Sequence, residues 1–174
     1  MRFWPRTVFL GSLLLFVAVE IGTAQQAAAA ADSDSATTYC DFSDGNQVTV
    51  QYVRAANRES ELRDGRLWQP GGAPMILYAQ TPLVFGDSQI PVGAFRLYVI
   101  PSRKQWTLIV NKNVSPGASY DQKEDLARGS MEVGSVGDPV KPAQVSFAHT
   151  SPKGCSLQIY YGKVGAFGSE FKEQ

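Results

Sequence analysis

Polar and apolar residues alternate over 47–52, Gln-Val-Thr-Val-Gln-Tyr, with Val48, Val50 and Tyr52 at every second position. A period of two puts those three side chains on one face of an extended chain, which predicts a half-buried strand. Short apolar runs at 75–80 and 83–85 predict two more, and Gly86-Asp87 marks a turn before Gln89-Ile90. Residues 94–100 and 105–110 are apolar runs on either side of Pro101-Ser102-Arg103-Lys104, so they predict a hairpin. Strands are also expected at 126–136, 143–148, 156–160 and 164–167, with a turn at Ser151-Pro152-Lys153-Gly154. Between them, 54–66 is rich in mixed charge and reads as a solvated loop, and Trp68–Pro74 holds two prolines and two glycines, which exclude a regular element. No long helical period is present, and turn signals recur every 8–12 residues or so. The expectation is an all-β, single-domain β-sandwich or jelly-roll-like barrel of about eight strands.

The first 24 residues follow a different pattern. Arg2 and Arg6 precede an apolar stretch from Val8 to Val19, and Gly22-Thr23-Ala24 supplies small residues at the positions that a signal peptidase reads. This predicts a secretory signal peptide over 1–24, cleaved before Gln25. The apolar stretch falls short of the roughly 20 residues that span a bilayer, so no membrane span is expected after cleavage. Residues 25–38 are Ala, Gln, Ser, Thr and Asp without an aromatic. They read as a disordered leader, with the all-β domain running over 39–170.

Charge and cysteine content narrow the function. The 174 residues carry 16 Lys+Arg against 16 Asp+Glu, and removal of the signal leaves 14 against 15, a net charge of −1. That balance lacks the clustered basic charge that nucleic acid requires. The two cysteines, Cys40 and Cys155, both lie in the exported part, where an oxidising compartment favours a disulfide between them. The alternative is two independent buried thiols. Export places the protein in a periplasmic or extracellular setting.

Few residues carry chemistry. The single His149 has no nucleophile motif around any serine to serve, so it reads as a solvated or hydrogen-bonded side chain and not as a catalyst. One His and two Cys are too few for most metal sites, and no metal or cofactor is expected. Asp121, Glu124 and Asp125 form an acidic group, but they lack the twelve-residue calcium-loop spacing and Lys123 sits among them. Capping of a short turn by Asp121 and pairing of Asp121 or Asp125 with Arg128 are the simpler expectation. Trp106 lies in the hairpin and should face the core, whereas Trp68, beside the Pro/Gly-rich loop, is placed to line a ligand groove. The adjacent Tyr160 and Tyr161 should point to opposite faces of a strand.

One block is more distinctive than these single residues. Pro91-Val92-Gly93-Ala94-Phe95-Arg96-Leu97-Tyr98-Val99-Ile100-Pro101 leads to Trp106-Thr107-Leu108-Ile109-Val110-Asn111-Lys112, then to Tyr120-Asp121-Gln122-Lys123-Glu124-Asp125-Leu126-Ala127-Arg128. With Phe42-Ser43-Asp44-Gly45 upstream, it resembles the bacterial exported family called domain of unknown function 2911, over about 40–165. The resemblance implies export and a β fold but supplies no activity. That family typically reads Trp-Arg-x-Gly-Ala-Asn-Glu where this chain has Trp68-Gln69-Pro70-Gly71-Gly72-Ala73-Pro74, so the Arg, Asn and Glu side chains are absent here.

These observations favour a non-catalytic ligand- or partner-binding module of the cell envelope, taking a glycan, a peptide or an envelope protein. The candidate ligand-binding residues are Trp68, Asp121, Asp125 and Arg128, and no catalytic residue stands out. An envelope hydrolase with carboxylate acid and base groups, and a structural envelope component, are the competing expectations.

Overall fold

The structure, a computed structural model, describes residues 35–54 and 62–174. The expected signal peptide, the first part of the leader and most of the 54–66 loop lie outside these residues. Within them the chain forms nine strands: β1 Ser35–Asp41, β2 Gln47–Val53, β3 Met75–Ala79, β4 Leu83–Phe85, β5 Ser88–Ile90, β6 Gly93–Ile100, β7 Gln105–Asn111, β8 Asp125–Ser151 and β9 Gly154–Glu173. All neighbours are antiparallel, in the order β1-β2-β3-β6-β7-β8-β9-β4-β5. The class is all-β, as the alternation predicts.

The alternating segments behave as their period requires. Val48, Val50 and Tyr52 are buried on the inner face of β2, opposite Ala79 and Leu77 of β3. The hairpin β6–β7 sends Phe95, Leu97 and Val99 into the same core from one strand and Trp106, Leu108 and Val110 from the other. Tyr161 is buried and its neighbour Tyr160 is half-exposed, in keeping with opposite faces. Trp68 forms an isolated bridge with Val99 and meets Trp106 and Tyr161 edge-to-face, at ring separations of 5.5 and 4.8 Å.

The structure differs from the sequence expectation in three places. The first strand starts at Ser35, four residues before Tyr39 and inside the expected leader, because β1 pairs with β2 along its whole length from Ser35↔Val53 to Asp41↔Gln47. The expected strands at 126–136 and 143–148 are one strand, β8, and those at 156–160 and 164–167 are one strand, β9, which runs on to Glu173. The glycines and prolines at 134–142 do not end the pairing. Register shifts between Ser135 and Val140, and between Val140 and Gln144, absorb the extra residues and let the strand bend, as bulges do.

That bend folds the sheet over a single core. The tip of the β1–β2 hairpin meets the tip of the β8–β9 hairpin. A disulfide joins Cys40 of β1 to Cys155 of β9, with Cα atoms 6.3 Å apart, and the Ser43 amide donates to the Pro152 carbonyl at 2.9 Å. The expected cysteine pairing is therefore present. At the other margin Phe85 of β4 stacks on Phe171 of β9 at 4.6 Å and lies over Gly129 of β8, where a glycine leaves room for the ring.

Two stability outcomes follow from this packing. Replacing Cys155 with Ser should lower unfolding free energy by about 2–5 kcal/mol, since the bond closes a loop of 115 residues. Two free thiols in the unfolded, unreduced protein would contradict the bond. Gly129→Ala should cost about 1–3 kcal/mol, because its β-carbon would overlap the ring of the fully buried Phe85. Gly165→Ala should cost less, because the ring it meets belongs to the half-exposed Phe167, which can turn aside. Urea denaturation of both variants checks the ranking, and equal losses would contradict it.

Candidate functional site

Part of the outer face of the sheet, opposite the main core, is covered. Strand pairing sets Arg96, Asn111 and Asp125 in one row across β6, β7 and β8, and Tyr98, Ile109 and Arg128 in the next. Strand residues on an outer face normally meet solvent, yet Arg96, Tyr98, Ile109 and Asn111 are all buried. The cover is the connection between β7 and β8, residues 112–124, which folds back over them. Its two ends are tied together by the Lys112 amide donating to the Glu124 carbonyl at 2.9 Å and by an exposed Lys112–Glu124 ion pair at 3.3 Å.

Arg96 holds the crest of this loop. Its guanidinium donates to the carbonyls of Ser115 and Ala118 at 2.7 and 2.9 Å and to the Tyr98 hydroxyl at 3.2 Å. Among the described residues no carboxylate lies within ion-pair distance of it, and its Nε has no hydrogen-bond partner. The planar fork of an arginine suits two diverging carbonyls, which a lysine would not span.

Asp125 organises the next part. Its Oδ1 accepts from Asn111 at 2.7 Å, and its Oδ2 accepts from the Tyr120 hydroxyl at 2.8 Å and from Arg128 at 2.7 and 3.0 Å. Arg128 also donates to the Tyr120 hydroxyl at 2.7 Å. The Tyr120 ring, clamped in this way, stands edge-to-face on Tyr98 at 4.9 Å. Burial, followed by the hydrogen bond to the Asp125 carboxylate, pushes the Tyr120 phenol up to about 12. The same carboxylate holds the Arg128 guanidinium more firmly protonated.

Beside this loop opens a cleft of about 470 Å³, lined by Leu67, Trp68, Gln69 and Gly72 on one side and by Tyr98, Ala118, Ser119 and Tyr120 on the other. None of these lining residues is charged. The short 3-10 turn Pro70–Gly72 shapes the first wall, and the Arg96-anchored loop forms the second.

The candidate residues therefore separate. Trp68 lines the cleft, but it is largely enclosed, with only 5% of its surface exposed, and its indole N–H is buried without a partner. Asp125 and Arg128 do not line the cleft; they hold Tyr120, which does. Asp121 caps the short 3-10 turn Gln122–Glu124, its Oδ1 accepting from the Lys123 amide at 2.9 Å. The capping and ion-pair expectations for Asp121, Asp125 and Arg128 agree with this geometry. Sequence reasoning missed Arg96, Tyr98, Asn111 and Tyr120. The one available signal was a charged or amide residue inside each strand of an otherwise apolar hairpin.

The protein is thus an all-β one, an antiparallel sheet with an uncharged cleft beside the loop that covers part of its outer face. The chain matches the family described as protein of unknown function (DUF2911) over residues 33–167, and it belongs to that family. Comparison with curated proteins and with solved structures finds no match.

The Tyr120 clamp has a pH signature. Its phenol is raised from 10.0 to about 12, so the unfolded chain loses this proton first as pH rises. The stability contributed by the clamp is complete below pH 10 and is lost as pH climbs through 12. In Asp125→Asn the carboxylate acceptor is gone and the phenol should titrate closer to 10. Phenolate absorbance of the two proteins checks this, and an unchanged high-pH tyrosine in the variant would contradict it.

Proposed function

We propose that the protein is an exported, non-catalytic binding module whose outer-face cleft takes a small uncharged glycan. The observation that carries this reading is the uncharged lining of the cleft: the half-buried Tyr120 ring, backed by the buried Trp68 and Tyr98, with Gln69 and Ser119 as polar groups. Sugars present flat apolar faces rimmed by hydroxyls, which suit aromatic edges with a few hydrogen-bonding partners. An anionic ligand would need a cation at the surface. None of the lining residues is one, and the two arginines that hold the second wall are engaged within the protein, Arg96 by the loop carbonyls and Arg128 by Asp125 and Tyr120. Likewise Asp125 has both oxygens hydrogen-bonded, which disfavours it as the acid or base of a hydrolase. The disulfide and the signal-like first 24 residues support export to an oxidising compartment. In the family pattern a charged segment follows the tryptophan, whereas Gln69 and Gly72 face the cleft in this chain, which also favours a neutral ligand.

A thermal-shift series tests the reading. Neutral mono- and disaccharides should raise the melting temperature saturably, a ligand at a hundred times its dissociation constant stabilising the fold by about 2.7 kcal/mol. Ser119→Trp places a large side chain at an exposed rim position, so it should fill the cleft and abolish that shift while leaving the unliganded melting temperature in place. A response confined to carboxylates, peptides or divalent cations would overturn the glycan reading, as would a sugar response that survives Ser119→Trp.

A further inference from the structure

Away from the cleft, the point where the sheet closes carries three soft or borderline metal ligands. Cys40 of β1 and Cys155 of β9 are buried, and His149 of β8 lies directly opposite Cys155 in the β8–β9 register, with its ring exposed at the surface. Its Nδ1 is 3.5 Å and its Nε2 3.7 Å from the Cys40 sulfur. One ligand atom from each of the three residues falls within 4.8 Å of the others.

We propose that the dithiol form of this protein binds one thiophilic divalent cation, of the zinc type, through Cys40, Cys155 and His149. In a tetrahedral site with metal–sulfur bonds near 2.3 Å and metal–nitrogen bonds near 2.0–2.1 Å, sulfur and nitrogen ligands stand about 3.5 Å apart. The Cys40–His149 separation already has that value. The two sulfurs must move to about 3.7 Å from each other. With the Cα atoms 6.3 Å apart, rotation of the cysteine side chains supplies the opening without displacing the strands. The balance of the reaction is simple. A thiol or phosphine reductant provides two electrons, the S–S bond breaks and each sulfur takes a proton. The cation then displaces both protons, forming two metal–sulfur bonds and one metal–nitrogen bond. A water from the exposed side completes the fourth position, as in three-ligand zinc sites. The closure of the sheet thus has two alternative staples, a disulfide when oxidised and a metal when reduced, and binding of the cation protects the thiols from reoxidation.

The experiment uses the full chain, reduced with a phosphine under nitrogen and titrated with zinc against a chromophoric chelator. The expected result is one zinc per reduced chain and none per oxidised chain. Cys40→Ser should abolish binding. His149→Ala should weaken it by at least about tenfold, since loss of second-shell partners alone costs 10–100-fold. Substitution by cobalt should give sulfur-to-metal charge-transfer absorbance from two thiolates. Were the reduced chain to lose its near-ultraviolet circular dichroism, zinc should restore it in the parent protein and not in Cys40→Ser. A reduced chain with two titratable thiols that takes up no zinc, or a His149→Ala variant with undiminished affinity, would overturn the proposal.

Discussion

A guanidinium withdrawn from water without a carboxylate beside it must be satisfied by other acceptors, and in this protein those are two carbonyls of a single loop and the Tyr98 hydroxyl. Arg96 is 3% exposed and donates to Ser115 and Ala118. The desolvation of a buried cation is costly, and hydrogen bonds to a charged group are among the stronger ones, about 1.5–3 kcal/mol each. The loop therefore closes over the sheet, and with it comes the rest of the site. Tyr120 descends onto Tyr98, Asp125 and Arg128 clamp its hydroxyl, and a wall rises opposite the Trp68–Gly72 segment. The cleft exists because an arginine on a strand recruits backbone from a neighbouring connection.

The fold beneath obeys a different constraint. One antiparallel sheet has to enclose its apolar face, and it does so by bending along β8 and β9 and fastening the edge strand β1 to β9. The inner face of that bend is apolar and dense, with Trp68 edge-to-face against both Trp106 and Tyr161. Trp68 links the two systems, since one side packs in the core and the other borders the cleft. Ligand on the outer face would thus rest on a wall whose far side is the core itself. Such a wall is rigid, and rigidity lowers the entropic cost of binding.

Much of the inner face was legible along the chain. Val48, Val50 and Tyr52 alternate, and the β6–β7 hairpin has its turn in the four residues between its strands, so local pattern suffices for both. β1 was not legible, because Ser35-Ala36-Thr37-Thr38 has no apolar period and owes its strand to β2 alongside it. β8 and β9 were read as fragments because glycine and proline usually end a strand, whereas here bulges carry the pairing past them. The ion pair of Asp125 with Arg128 and the cap from Asp121 were visible from spacing alone. The buried roles of Arg96 and Asn111 were hidden, since they depend on a loop returning from elsewhere in the chain, and strand alternation alone would give both residues to solvent.

The central claim is that Arg96 holds the 112–124 loop and so forms the cleft. Amide hydrogen exchange of the protein and of Arg96→Lys tests it most directly. Lysine keeps the charge but cannot reach both carbonyls, so the account predicts faster exchange across 113–120, with the amides of β2 and β3 unchanged. Identical exchange in that segment would contradict it, and the loop would then owe its position to Tyr120, the Asn111 amide on the Asp121 carbonyl and the Lys112–Glu124 tie.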